Sequence, residues 1–154
     1  MCALAGDAPR ACLPDQHFQL GGVGFTDSLG DIEKKLGKPD SIGTYAGEDD
    51  GGPYTGKRLT FPTLEVLIDD LRGVERISTR SDKASLSLGV RVGMGIRVVA
   101  NLLHVLPYLA QGSDSITMDA CNENEAKTRL QLTFSSVSGQ DPILVRIDIE
   151  QYGP

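Results

Sequence analysis

Apolar positions recur at two spacings along the chain, and the two spacings predict two kinds of element. Leu29, Ile32 and Leu36 stand at i, i+3 and i+7, which is one face of a short helix over 28–36. Ser28 with Asp31 resembles an N-terminal cap, and Gly37 followed by Pro39 stops the helix. Ile96, Val99 and Leu103 repeat that spacing, and a second helix is expected from Met94 to Leu109, broken by Pro107. Elsewhere the period is two. Leu130, Leu132 and Phe134 alternate with polar residues, as do Val145, Ile147 and Ile149 with Arg146, Asp148 and Glu150 between them. Residues 57–61, 64–69 and 74–79 read as strands, with a turn at Asp69–Gly73. Ser41–Tyr45 and Ser115–Asp119 are expected as one extra strand in each half.

Compared with itself, the chain suggests a duplication. Gly22–Leu29 aligns with Gly89–Ile96 at an offset of 67, and at that offset Ile32 meets Val99 and Leu36 meets Leu103. Leu59-Thr60-Phe61 recurs as Leu132-Thr133-Phe134, and Arg76-Ile77 as Arg146-Ile147. The expected class is therefore α+β: two tandem helix-plus-antiparallel-sheet repeats, 21–87 and 88–154, preceded by an N-terminal segment 1–20. Their strands would form one broad sheet with the helices on one face and a polar face left to water.

Composition narrows the function. The net charge is −6 over 154 residues, and no run of Lys or Arg exceeds two. A nucleic-acid partner needs a basic face, so none is expected, and an anionic membrane surface is disfavoured in the same way. The longest apolar stretch, Ile96–Ala110, contains Arg97, Asn101, His104 and Pro107, and is too short and polar to span a bilayer. Ala3-Leu4-Ala5 before Gly6 has the small-x-small form of a signal-peptidase site. This points to the remnant of a signal peptide and to a periplasmic or secreted protein. Cys12 and Cys121 are then an even pair, expected to form a disulfide that closes a long loop; two free thiols are the alternative. A lipid-bearing Cys2 would make the mature chain a lipoprotein instead.

Little in the chain suggests catalysis. Its histidines are His17 and His104, with no H-E-x-x-H or C-x-x-C spacing and no G-x-S-x-G elbow. No catalytic residue, cofactor or metal site is expected. Gly21-Gly22-Val23-Gly24 lacks dinucleotide-loop spacing, and Glu48-Asp49-Asp50-Gly51-Gly52 lacks the alternate carboxylates of a calcium loop. The acidic stretch reads either as a solvated loop or, with Tyr45 and Tyr54 flanking it, as a partner-contact loop. Tyrosine supplies large contact area with a polar tip. Tyr45, Glu48, Asp49, Asp50 and Tyr54 are thus the candidate binding residues.

The segment Ser28-Leu29-Gly30-Asp31-Ile32-Glu33-Lys34-Lys35-Leu36-Gly37-Lys38-Pro39, ahead of a strand hairpin, resembles the helix motif of one superfamily. That superfamily contains the β-lactamase inhibitory proteins and the small lipoproteins of the outer-membrane barrel-assembly machinery. Val92-Gly93-Met94-Gly95 is similar to the opening of the motif, although Leu103-His104-Val105-Leu106-Pro107 departs from its Leu-Gly-x-Pro ending. The resemblance implies an exported, non-enzymatic protein that binds another protein. A monomer or homodimer is expected. An inhibitor or immunity-type protein blocking an enzyme is expected. An envelope-assembly scaffold, or a small-ligand-binding protein or hydrolase, is the alternative. In the inhibitory proteins a loop of the first unit enters the enzyme active site, and Tyr45–Tyr54 occupies a similar place.

Overall fold

The computed structural model describes residues 12–49, 51–109, 112–121, 127–136 and 139–152, apart from the side chains of Asp49, Lys127 and Tyr152. The proposed signal-peptide remnant and Cys2 lie outside these residues. Two short strands, β1 (Gln19–Leu20) and β2 (Val23–Gly24), pair across a tight turn. Gly21 and Gly22 make that turn with φ of 60° and 83°, the left-handed pair that a two-residue hairpin demands. Helix α1 (Leu29–Leu36) follows. Next come β3 (Ser41–Asp49), β4 (Gly52–Thr60), β5 (Glu65–Asp69) and β6 (Gly73–Thr79), then helix α2 (Ile96–Leu102). The chain ends in β7 (Ser115–Asp119), β8 (Lys127–Ser135) and β9 (Ile143–Tyr152). Strands β3 to β9 form one antiparallel seven-stranded sheet in the order β3-β4-β5-β6-β9-β8-β7.

Local chemistry sets the helix ends. Ser28 Oγ accepts the Asp31 N–H at 3.1 Å while the Asp31 carboxylate accepts the Ser28 N–H at 3.0 Å, a reciprocal capping box. Hydrogen bonding to the Ser28 backbone N–H, and then to the Ser28 side chain, holds the Asp31 carboxyl below its ordinary pKa. Gly37, at φ 82°, closes α1. Helix α2 has no side-chain cap; the Ile96 N–H instead donates to the Pro142 carbonyl at 2.9 Å. It ends at Leu102, well short of the expected Leu109. His104 adopts φ 59°, a positive φ as at Gly37 after α1, and a separate 3-10 turn covers Leu106–Tyr108.

The expected α+β class with two helix-plus-sheet repeats is overturned. The chain is mainly β, with nine strands in two sheets and two short helices among the described residues. Six inter-strand spacings of ~4.8 Å make the large sheet roughly 29 Å wide. Helices of eight and seven residues are only about 10–12 Å long, so they cannot cover it alone. Much of the cover is irregular chain: Leu13, Phe18, Ala84, Leu86 and Val90 are buried in the same core as Ile32 of α1 and Ile96, Val99 and Ala100 of α2. The sequence matches also fall on strands with different neighbours. Leu132 pairs directly with Ile147, whereas Leu59 pairs with Val66 of β5 and Ile77 lies one strand further on.

Strand interiors follow the alternation. Leu130, Leu132, Ile147 and Ile149 are fully buried. Val145, expected inward, is exposed, because the register shifts between Thr133 and Phe134. Leu144 takes the inward place and Val145 becomes the extra residue of a bulge. A matching shift between Leu67 and Ile68 makes Glu75 the extra residue of β6. In each case the Arg-Ile pair follows directly.

The cysteine expectation holds. Cys12 and Cys121 form a disulfide with Cα atoms 4.9 Å apart, across 109 residues of chain. Among the described residues no helix is long and apolar enough to cross a membrane. Both observations are compatible with a periplasmic or secreted protein.

Candidate protein-docking face

The expected acidic loop is a hairpin. Strands β3 and β4 pair without interruption over nine residues, from Ser41–Thr60 to Asp49–Gly52. The register places Tyr45 opposite Gly56 and Tyr54 opposite Gly47, all four on one face. Each tyrosine ring lies over the glycine across from it. A Cβ on Gly47 would meet the Tyr54 ring at 2.4 Å, and one on Gly56 would meet the Tyr45 ring at 2.6 Å. The two rings contact edge to face with centroids 6.3 Å apart.

Glu75 joins the pair from β6. The bulge brings Glu75 and Arg76 together opposite Leu67, so Glu75 points to the tyrosine side of the sheet. Its carboxylate accepts the Tyr45 hydroxyl at 2.5 Å and the Tyr54 hydroxyl at 2.9 Å. Burial, reinforced by the hydrogen bond and negative charge of Glu75, pushes the Tyr45 hydroxyl far above its ordinary pKa, so it stays a donor. The Arg72 guanidinium lies 5.3 Å from the Tyr54 ring centroid, over its face. Asp69, buried beside Gly56 in the register, accepts the Leu71 and Arg72 N–H groups at 2.7 and 3.1 Å, which fixes the β5–β6 turn under Arg72.

On the same face a row of side chains crosses the sheet. Arg58, Leu67, Arg76, Glu150, Arg129 and Asp119 occupy successive strands in register. Arg76 reaches Glu150 at 3.4 Å and Arg129 reaches Asp119 at 2.9 Å. In the neighbouring row Asp148 accepts Arg146 Nε at 2.8 Å through one oxygen, and its other oxygen is buried without a hydrogen-bond partner. The surface is thus rich in arginine and tyrosine, with side chains tied to one another by hydrogen bonds and ion pairs.

A scan against protein-family models finds no match for the chain, and neither does a search of curated proteins. Among solved structures the chain is similar to a crystal structure of the uncharacterized protein YfeY from Escherichia coli. It matches at 11% identity and a TM-score of 0.45, over 87% of this chain and 97% of that one. The likeness is too loose to assign a family.

The structure separates the residues proposed from sequence. Tyr45 and Tyr54 come together, but Glu48 alternates onto the opposite face of β3 and is exposed there. Asp49 closes the ladder against Gly52, its side chain is not described, and Asp50 lies outside the described residues. Glu75, Arg72 and the charged row are additions. The signal available for the hairpin was the doubled tripeptide Tyr45-Ala46-Gly47 and Tyr54-Thr55-Gly56, disposed about Asp50-Gly51, a favoured two-residue turn. Nothing local marked Glu75, which arrives from a strand two places away. His17 lies with Nδ1 3.0 Å from Ser87 Oγ.

Proposed function

We propose that the chain is an exported protein-binding module of the inhibitor or immunity type, which docks its partner on the sheet face that carries Tyr45 and Tyr54. The observation that carries this reading is the tyrosine pair held over Gly47 and Gly56 and tied to one carboxylate. Side chains ordered before association lose little entropy on binding, and tyrosine and arginine are the residues in which binding energy concentrates. Arg58 and Arg76 on the adjoining row extend the patch. The resemblance of residues 28–39 to the inhibitory-protein motif, and a disulfide suited to an oxidising compartment, support the same reading.

The test is affinity capture from an envelope extract with wild type and the Tyr54→Ala variant, each shown to be folded by circular dichroism. A protein retained by the wild type is then purified and titrated against both. Truncation of an anchor should weaken binding by about 2 kcal/mol or more. Equal affinity for the two baits would sink the proposal.

A further inference from the structure

We propose that the cleft between the β1–β2 turn and the segment 83–89 binds a small phosphorylated molecule, with the Lys83 ammonium on its phosphate. The cleft lies in the irregular chain that covers the sheet, not on the tyrosine face. It holds about 490 Å³, with Gly21 and Gly22 on one wall and Lys83, Ser85 and Ser87 on the other.

Backbone pairing builds both walls. The Gly21 N–H donates to the Ser85 carbonyl at 3.0 Å, and Leu20 bridges Leu86. A tight turn follows, in which the Leu86 N–H donates to the Val90 carbonyl and the Gly89 N–H to the Leu86 carbonyl, each at 2.9 Å. Alternation about buried Leu86 turns Ser85 and Ser87 outward, and both are exposed. The bridge between Ser85 and Arg91 sets exposed Arg91 directly across from Ser85. Nothing lies within 4 Å of where a Cβ would stand on Gly22 or Gly89, so bare backbone borders the opening.

The balance of donors and acceptors selects the ligand. No carboxylate lines the cleft among the described residues; Asp82, next to Lys83, is exposed and outside the lining. The Ser85 and Leu86 carbonyls are engaged by the N–H groups just named, and the Gly22 carbonyl accepts Lys35 Nζ at 2.8 Å. A cation would find few acceptors there. An apolar ligand would find little surface, because Leu86 is buried and the other lining residues are glycine or polar. Donors are in surplus. The Lys83 ammonium is exposed and forms no ion pair among the described residues. The Ser85 and Ser87 hydroxyls and the Gln19 amide add neutral donors, and Ser87 Oγ is steadied by His17 Nδ1 at 3.0 Å. An ammonium beside hydroxyls suits an oxyanion, through charge-assisted hydrogen bonds. Inorganic phosphate would leave most of the cleft empty. Its volume is that of a small-molecule site, so the phosphate is carried on a polar body whose hydroxyls meet Ser85, Ser87 and Gln19. Phosphoglycerol has this chemistry, and it occurs both free and as a lipid headgroup.

The measurement is a nuclear magnetic resonance titration of the full, isotope-labelled chain with glycerol phosphate at fixed ionic strength, and with glycerol as control. Saturable shifts of the Gly22, Ser85, Ser87 and Gly89 amides are expected with glycerol phosphate and not with glycerol. Lys83→Met should raise the dissociation constant by about tenfold, the loss of one charge-assisted hydrogen bond. Ser85→Asp, which sets a carboxylate in the wall, should weaken binding at least as much and serves if the first variant fails to fold. Lys57→Met removes an equal charge from β4 and should leave the affinity unchanged. Pelleting with phosphatidylcholine vesicles, with and without phosphatidylglycerol, separates the two sources. Lys83-dependent pelleting with the anionic lipid assigns a headgroup; its absence assigns a free phosphorylated molecule. The proposal is overturned if glycerol phosphate gives no saturable shifts, or if glycerol gives the same ones. An affinity undiminished by both cleft variants, or lowered equally by Lys57→Met, overturns it too. None of these measurements involves the protein partner, so the docking proposal stands or falls separately.

Discussion

The ring of Tyr45 rests on Gly56 directly across the β3–β4 ladder, in a space that admits no side chain at position 56. A Cβ there would meet the Ile68 carbonyl oxygen at 2.4 Å as well as the ring at 2.6 Å. A ring can swing away, but the Ile68 carbonyl is strand backbone and cannot. Gly56→Ala should therefore destabilise by about 1–3 kcal/mol, the usual cost of overpacking. Gly30→Ala in α1, where a new Cβ would be no nearer than 3.8 Å to Ser28 Oγ, should instead stabilise by roughly 0.5–1 kcal/mol. Urea unfolding of the two variants checks the opposite signs; equal effects would refute the packing argument.

The Tyr45–Glu75 hydrogen bond makes a prediction at alkaline pH. The Tyr45 hydroxyl is raised above its ordinary value of 10.0, chiefly by burial and then by Glu75. A group raised in the folded state adds stability that is complete below the unfolded pKa and is lost as pH climbs above it. In an ultraviolet titration of tyrosinate, Tyr45 should remain un-ionised near pH 10 and ionise only as the protein unfolds. Tyr45→Phe should abolish that late component and make stability fall less steeply above pH 10. A titration complete for every tyrosine before unfolding would contradict the geometry.

His104 should be improvable. It sits at φ 59° just past α2, a conformation costing a non-glycine residue about 1–2 kcal/mol. His104→Gly relieves that strain, and the greater freedom of glycine in the unfolded chain offsets part of the gain. A net stabilisation of about 0.5–1 kcal/mol is expected, read as a higher thermal midpoint. His104→Val, β-branched, should lower it. A drop with glycine would mean that the imidazole makes contacts outweighing the strain.

The disulfide closes a 109-residue span, for which loop entropy in the unfolded chain gives about 4.7 kcal/mol. Cys12→Ser/Cys121→Ser should lose about 2–5 kcal/mol in guanidinium unfolding. Reductant should shift the wild type to the same midpoint and leave the variant unmoved. If reduction costs nothing, the bond does not tie the N-terminal segment to β7 as the backbone hydrogen bonds suggest.

Much of the local structure was present in the one-dimensional pattern. Ser28 and Asp31 marked the start of α1 and Gly37 its end; Ser115–Asp119 was located to the residue; Leu130, Leu132 and Phe134 pointed inward as their alternation required. These features depend on contacts within a few residues, or on a periodicity that one strand displays unaided. The cysteine pair was accessible by counting. The tyrosines of the proposed docking face were accessible by type, but not their setting: the Asp50-Gly51 dipeptide between two Tyr-x-Gly tripeptides is a hairpin signal in the sequence, and a loop there would put Glu48 beside the tyrosines, whereas strand alternation puts it behind them.

The sequence by itself determined where α1 begins and ends, which strand faces are apolar, and that two cysteines can pair. Only the tertiary structure decided that the chain is mainly β, because the choice between helices and irregular segments as cover depends on the width of the assembled sheet. It alone decided that Val145 turns outward and Glu75 meets Tyr45 and Tyr54. Each of those outcomes follows from a one-residue register shift, and a shift belongs to a pair of strands rather than to either strand alone.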